Sequence, residues 1–164
     1  MKRCVELFFV RSILFIPMEL KKGIDFVGVS VTSFCHDGKG NVFLNKRSKN
    51  CRDEYGRWDL CGGGVEFGDT ILETVHKEVA EEYCADVLDS EFIGYRDVHR
   101  AHNGVQTHWI SLDFLIRIDR AKAANGEPHK FDEVGWFQIG KFPKPMHSQF
   151  PLFWEKYKDK LLAL

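Results

Sequence analysis

Glu78, Glu81 and Glu82 stand at i, i+3 and i+4 in a helical stretch that follows the glycine run Gly62, Gly63 and Gly64. At 3.6 residues per turn these spacings put three carboxylates within about a 100° arc on one side of a helix. Like charges that close repel unless a cation sits among them. Hard divalent ions such as Mg²⁺ take oxygen ligands and keep several waters, which suits a substrate that brings phosphate oxygens of its own. A solvated helix face is the ordinary reading of Glu-rich stretches. The glycine spacing and the preceding Trp58 set this one apart.

The elements that must position these acids are legible from local signals. Thr70 followed by Glu73 reads as a capping box, with Asp69 beside the positive helix end. Ile71, Leu72, Val75, Val79 and Tyr83 form the expected apolar stripe. Before the glycines, residues 26–35 and 42–47 read as a hairpin around the turn-forming His36-Asp37-Gly38, and residues 48–57 as a polar loop. After the helix, strands are expected at 92–99 and 107–118, joined by a turn at Asn103-Gly104. A charged loop then spans 119–132, a short strand 134–139, and a closing helix 150–164 with Phe153, Trp154, Tyr157, Leu161 and Leu162 inward.

Composition bounds the function. The 164 residues fit one domain with a substantial core, and 44% hydrophobic with 29% charged residues excludes disorder. A formal net charge of −1 argues against broad binding to nucleic acid or an acidic membrane. The five cysteines, Cys4, Cys35, Cys51, Cys61 and Cys84, are odd in number and widely spaced, as expected of reduced thiols in a cytoplasmic protein. Residues 1–22 read as an N-terminal extension and 23–164 as a single domain. Glu6 and Arg11 interrupt the apolar start, which argues against a signal peptide, and Met18 is a plausible natural first residue. If the extension is retained, Leu7, Phe8, Phe9, Ile13, Leu14 and Phe15 are expected to pack on the domain or a partner.

The segment resembles the Nudix box. Gly63, Glu78, Val79, Glu81 and Glu82 match in unbroken register, and Trp58, Gly62, Glu66 and Gly68 fit family usage. Asp69 stands where the box has its first glutamate, Lys77 where it has arginine, and Cys84 where it has a helix-ending glycine. The family's arginine orients a glutamate through a planar fork that lysine lacks. The resemblance implies an α+β fold, an α/β/α sandwich with a mixed sheet, box helix and C-terminal helix. It implies Mg²⁺, or Mn²⁺ in its place, held by Glu78, Glu81, Glu82 and the Gly63 carbonyl. It further implies water attack on a nucleoside diphosphate derivative, with Glu78 first and Glu82 second as catalytic base.

Substrate contacts are less legible. Arg47 ends a strand where it can reach a phosphate, and Arg57 precedes Trp58. Thr107-His108-Trp109 is similar to a Thr-His-aromatic sequence in MutT-type triphosphatases and GDP-mannose mannosyl hydrolases, which makes His108 a candidate for base or phosphate contact. Phe26, Phe34 and Trp109 are stacking candidates, with core packing the default. Glu133 is a candidate later acid or a structural residue. The leading expectation is a pyrophosphohydrolase that cuts a nucleoside triphosphate, oxidised ones included, to monophosphate and pyrophosphate. Hydrolysis of a nucleotide sugar such as GDP-mannose or ADP-ribose, and a slow nucleotide-binding sensor, are the alternatives. The expected partner is a small nucleotide, without nucleic acid or membrane, and a homodimer is compatible with the chain.

Overall fold

A computed structural model describes residues 20–102 and 104–164. The elements run β1 (Gly28–His36), β2 (Asn41–Arg47), β3 (Trp58–Asp59), α1 (Ile71–Tyr83), β4 (Val87–His102), β5 (Val105–Ile118), β6 (Phe131–Gln138) and α2 (Phe150–Leu161). The sheet is mixed, ordered β3-β2-β1-β5-β4 with β6 on β2; β1 and β5 are parallel and the other pairs antiparallel. Strands covered on both faces must be apolar on both. Val31, Cys35, Phe43, Phe114 and Ile116 pack with Val75, Val79 and Tyr83 of α1. Their alternates Phe34, Val42, Leu44 and Leu115 pack with Phe153, Tyr157 and Leu161 of α2. The result is the expected α/β/α sandwich.

The expected hairpin is present but opens almost at once. β1 and β2 meet at His36 and Val42, where the Asp37 carboxylate accepts the Lys39 and Asn41 amides. Beyond that point the segment from Trp58 to Gly64 enters between them. Its first half pairs with Lys46 and Asn45 of β2, and its second half bridges Ser33 and Ser30 of β1. Glycine permits this close approach: a Cβ on Gly62 would lie 2.2 Å from the Val31 carbonyl oxygen.

Several boundaries differ from the sequence expectation. β4 and β5 extend almost to the tip of their hairpin, because cross-strand pairing continues through Arg100, Ala101 and His102. β6 starts at Phe131, whose buried ring anchors it. Leu72 lies about 60° round the helix from Val75 and is exposed. α2 stops at Leu161, leaving Leu162 in solvent. The apolar residues Leu7 to Phe15 lie outside the described residues. Of the segment assigned to the extension, Lys22 donates to the Val65 carbonyl at 2.8 Å, and Gly23 next to it accepts the His108 amide at 2.8 Å.

The helix that carries the acids is capped at both ends. Thr70 Oγ1 accepts the Glu73 amide at 3.2 Å, and the Glu73 carboxylate accepts the Thr70 amide at 2.8 Å, which is the expected capping box. At the other end Cys84 takes the left-handed conformation, φ 51°, that the family's glycine would adopt without strain. The loop before β6 closes this end, since Ala124 and Gly126 donate to the Tyr83 and Glu82 carbonyls at 3.0 and 2.9 Å. A left-handed non-glycine residue costs about 1 kcal/mol. Cys84→Gly should therefore raise the melting temperature by about 2–4 °C in thermal unfolding; an unchanged or lower value would show that the cysteine side chain earns its place by contact with the loop.

Candidate active site

Helix α1 turns Glu78 and Glu82 toward the glycine segment, and the environments of its three acids differ. Glu82 is buried at 6% exposure, and one carboxylate oxygen accepts the Gly62 amide at 3.2 Å. Glu78 is half-buried and lies so close to Gly63 that a Cβ there would sit 2.0 Å from its Oε1. Glu81 is exposed. Burial pushes the Glu82 carboxyl well above the usual glutamate range and the Glu78 charge adds to this, opposed by the Cys61 thiol and the Gly62 amide. Burial also raises Glu78, with Glu81 and Glu127 adding to it and Lys130 working against them. The Gly63 carbonyl accepts the Val31 amide at 2.9 Å and keeps a second lone pair.

Glu127 is a site residue that the sequence reading passed over. It lies in the loop that closes α1, its Oε1 is 2.8 Å from Lys130 Nζ, and its Oε2 is buried without a hydrogen-bond partner. A lone acid in a charged loop gives little signal beyond its place. Among the described residues no three acidic, histidine or cysteine side chains converge on one point. Each acid is held by its own neighbour: Glu82 by Gly62, Glu78 against Gly63, Glu127 by Lys130. Oxygen donors with raised proton affinity and one orphaned carboxylate oxygen fit a hard divalent cation.

Lys77 does not orient the box acids. Its ammonium pairs with the exposed Glu66 at 3.1 Å. Glu133 pairs with Lys46 at 2.6 Å across the β2–β6 ladder, a structural contact.

The reverse side of the glycine segment lines a cavity of about 280 Å³. Trp109, Phe150 and Phe153 supply apolar walls, and Arg47, Arg52, Arg96 and Arg100 supply charge. The Trp109 indole is seated against glycines: a Cβ on Gly23 or Gly28 would fall 2.1 or 2.4 Å from it. Asp53, 4% exposed, gathers three of the arginines, with contacts of 3.1 Å to Arg47, 3.4 Å to Arg52 and 2.8 Å to Arg100. Burial pushes its carboxyl up, but the charges of Arg100, Arg52 and Arg47 outweigh that and hold it below the usual range. Arg47 also reaches Asp59 at 3.2 Å.

Of the substrate candidates, Arg47 and Trp109 reach the cavity and others do not. Arg57 is occupied with Glu54 at 3.0 Å and the Met146 carbonyl at 3.0 Å, tying the polar loop to the chain before α2. His108 faces the opposite way from Trp109, as strand alternation requires, stacking on His99 at 4.1 Å with Asp97 at 3.6 Å. Phe34 is core and Phe26 is exposed. Arg96 and Arg100 were missed because both lie in a strand whose other face is polar. The available signal was Asp113, an acid inside the apolar run Ser111 to Ile116 that demands a buried cation.

A mixed sheet between two helices, with helix acids pressed on a glycine segment, is the architecture of a Nudix-type hydrolase domain. The NUDIX domain pattern matches residues 27–154, and the chain belongs to that family. Over 142 residues it is 27% identical to the 8-oxo-dGDP phosphatase NUDT18 of Mus musculus, covering 80% of this chain and 38% of that protein's length. A MutT Nudix hydrolase from Burkholderia pseudomallei superposes with a TM-score of 0.69 at 24% identity, covering 79% of this chain and 96% of its own. A MutT protein from Methanosarcina mazei Go1 gives 0.68 at 24% identity, with 82% and 94% covered. These two likenesses carry the fold.

Gly63→Ala tests the contact that holds Glu78. The added methyl must displace the carboxylate, a movable side-chain end, so the fold should survive while turnover falls about 100-fold. Unchanged kcat at unchanged melting temperature would detach Glu78 from the chemistry.

Proposed function

We propose that residues 23–164 act as one Mg²⁺-dependent hydrolase domain that cleaves the pyrophosphate linkage of a nucleoside diphosphate derivative. Its leading substrate is a nucleoside triphosphate, oxidised forms included, cut to monophosphate and pyrophosphate. The observation that carries this is the shared wall: Gly62 and Gly63 touch Glu82 and Glu78 on one side and line the arginine-bearing cavity on the other. A nucleotide whose base enters the cavity then lays its phosphates along the glycines toward the acids. The mouse relative, by name a phosphatase of 8-oxo-dGDP, supports keeping diphosphates in the substrate range.

Glu78, Glu81, Glu82 and the Gly63 carbonyl would hold the Mg²⁺, or Mn²⁺ in its place, which when bound neutralises phosphate charge and acidifies water. The protein's own residues divide the remaining work. Glu78, its proton affinity raised by burial and by Glu81, takes the proton of the attacking water, since a base raised toward neutrality is the better acceptor. Glu82, fixed by the Gly62 amide, is the second candidate for that role. Arg47 and Arg100, held on Asp53, offer guanidinium N–H groups to phosphate oxygens. With His108 outside the cavity, the motivation for a nucleotide-sugar substrate weakens.

A panel of nucleoside di- and triphosphates and nucleotide sugars, incubated with Mg²⁺, tests the reading. Release of pyrophosphate or phosphate from at least one member is expected, and none from any would sink it in favour of a binding domain. Glu82→Gln should lower kcat at least 100-fold. Because folding raises the Glu82 pKa, its carboxyl favours the fold below the unfolded value of 4.5 and loses that contribution as pH rises through the folded value. In chelator, Glu82→Gln should therefore equal the unaltered protein in melting temperature near pH 4 and exceed it at pH 8; a variant less stable at pH 8 would contradict the burial of a charge-bearing acid.

A further inference from the structure

The longest strand of the sheet lies at its edge. Among the described residues β4 pairs with β5 alone, so one side of the 16 residues Val87–His102 has no neighbouring strand. An open edge is a template for another strand, and proteins ordinarily blunt it with bulges, lysines or prolines. The first half of β4 is blunted in this way. Its register shifts at Val87/Asp89 and at Phe92/Gly94, Lys160 of α2 pairs with Glu91, and Lys156 donates to the Tyr95 carbonyl. The half from Arg96 to His102 has no such guard: its pairing with β5 runs without a shift, and it contains neither proline nor lysine.

One hydrogen bond shows which backbone groups of this half are free. The His108 amide donates to the Gly23 carbonyl at 2.8 Å, on the side of β5 away from β4. His99 stands directly opposite His108, and in an antiparallel ladder the residues of such a pair turn their N–H and C=O groups away from each other. His99 therefore aims its amide and carbonyl out of the sheet edge, and by alternation so do Asp97 and Ala101. The Tyr95 carbonyl, which meets Lys156 on that side, follows the same alternation. The side chains of Asp97 and His99 share the sheet face opposite the cavity, and both are exposed.

We infer that this half-strand pairs antiparallel with the same half-strand of a second copy, about a two-fold axis at Val98, giving a dimer with one continuous sheet. Outward-facing residues must meet outward-facing residues, so the axis falls on a residue and not between two. At Val98 it sets Asp97 opposite His99 twice, each a hydrogen-bonded backbone pair in which a carboxylate also meets an imidazole N–H. An axis at Asp97 would oppose two carboxylates, a destabilising like-charge pair, and one at His99 would oppose two imidazoles. About Val98 the stretch is its own complement, which commits the edge to a second copy rather than to an unrelated strand. Arg96, Val98 and Arg100 of the same stretch line the cavity from the other face. Pairing thus fixes the strand that carries two of the cavity's arginines.

Sedimentation of the full chain across micromolar concentrations should show a reversible species of twice the chain mass. His99→Pro removes an N–H that the single chain leaves to solvent, so the variant should fold and sediment as a monomer. Asp97→Lys places a lysine on the unguarded half and should weaken the dimer at least tenfold, because the axis applies each change twice. If His99→Pro does not fold, Asp97→Lys decides. The register is read from Val98→Cys treated with diamide. Facing residues of a pair without mutual backbone bonds have Cα atoms about 4.5 Å apart, within disulfide reach, so this variant should form a linked dimer that the unaltered chain does not. A chain that stays monomeric, a dimer that folded variants leave intact, or a dimer that Val98→Cys does not link would overturn the inference.

Discussion

The architecture depends on the passage of one backbone segment, Cys61 to Gly64, between β1 and the acids of α1. At Gly62 a methyl group would strike the Val31 carbonyl, and at Gly63 it would strike the Glu78 carboxylate. The segment is thus in close contact on both sides. It also explains why β1 and β2 part just beyond their turn, since the segment takes the place in the ladder that a plain hairpin would have closed. A side chain at Gly62 would push the segment off the β1 backbone, and one at Gly63 would displace the Glu78 carboxylate.

That thin wall separates two electrostatic regimes. On the helix side, burial raises the proton affinity of Glu78 and Glu82. On the cavity side, arginines outnumber the carboxylates and each carboxylate is saturated with donors, as for Asp53 and Asp113. A buried ion pair stabilises a fold only weakly, because desolvation offsets attraction. The two aspartates are better understood as fixing arginine geometry, which a hydrophobic replacement could not do. In the proposed reaction an anionic substrate would meet donors on one side and the acids on the other, with little backbone between.

Local signals made the helix, its capping box and the glycine run readable, because each depends on residues within one turn of one another. The sandwich, with a core on both faces of the sheet, was implied by the family resemblance. What escaped was the cavity, whose arginines come from β2, the polar loop and β4 and converge only through sheet order, which no local pattern encodes. Arg57 and His108 show the converse failure. Both are plausible by type, but one is consumed by Glu54 and the other falls on the face opposite the cavity by strand alternation, a parity that a single-residue slip in strand register would reverse. Trp109, one residue along, fell on the right side for the same reason.

The departure at Lys77 also acquires a physical account. An arginine in the box would orient a glutamate with its planar fork, and a lysine pairing with solvent-exposed Glu66 does nothing of the kind. Here the orientation comes from the backbone: the Gly62 amide fixes Glu82, and the absence of a side chain at Gly63 gives Glu78 its berth. Loop groups complete the arrangement, since Gly126 ties the Glu82 carbonyl and Lys130 stands near both buried acids while bonded to Glu127. Orientation by backbone atoms does not depend on a long cationic side chain at position 77. The constraint that replaced it is steric, and it falls on Gly62 and Gly63.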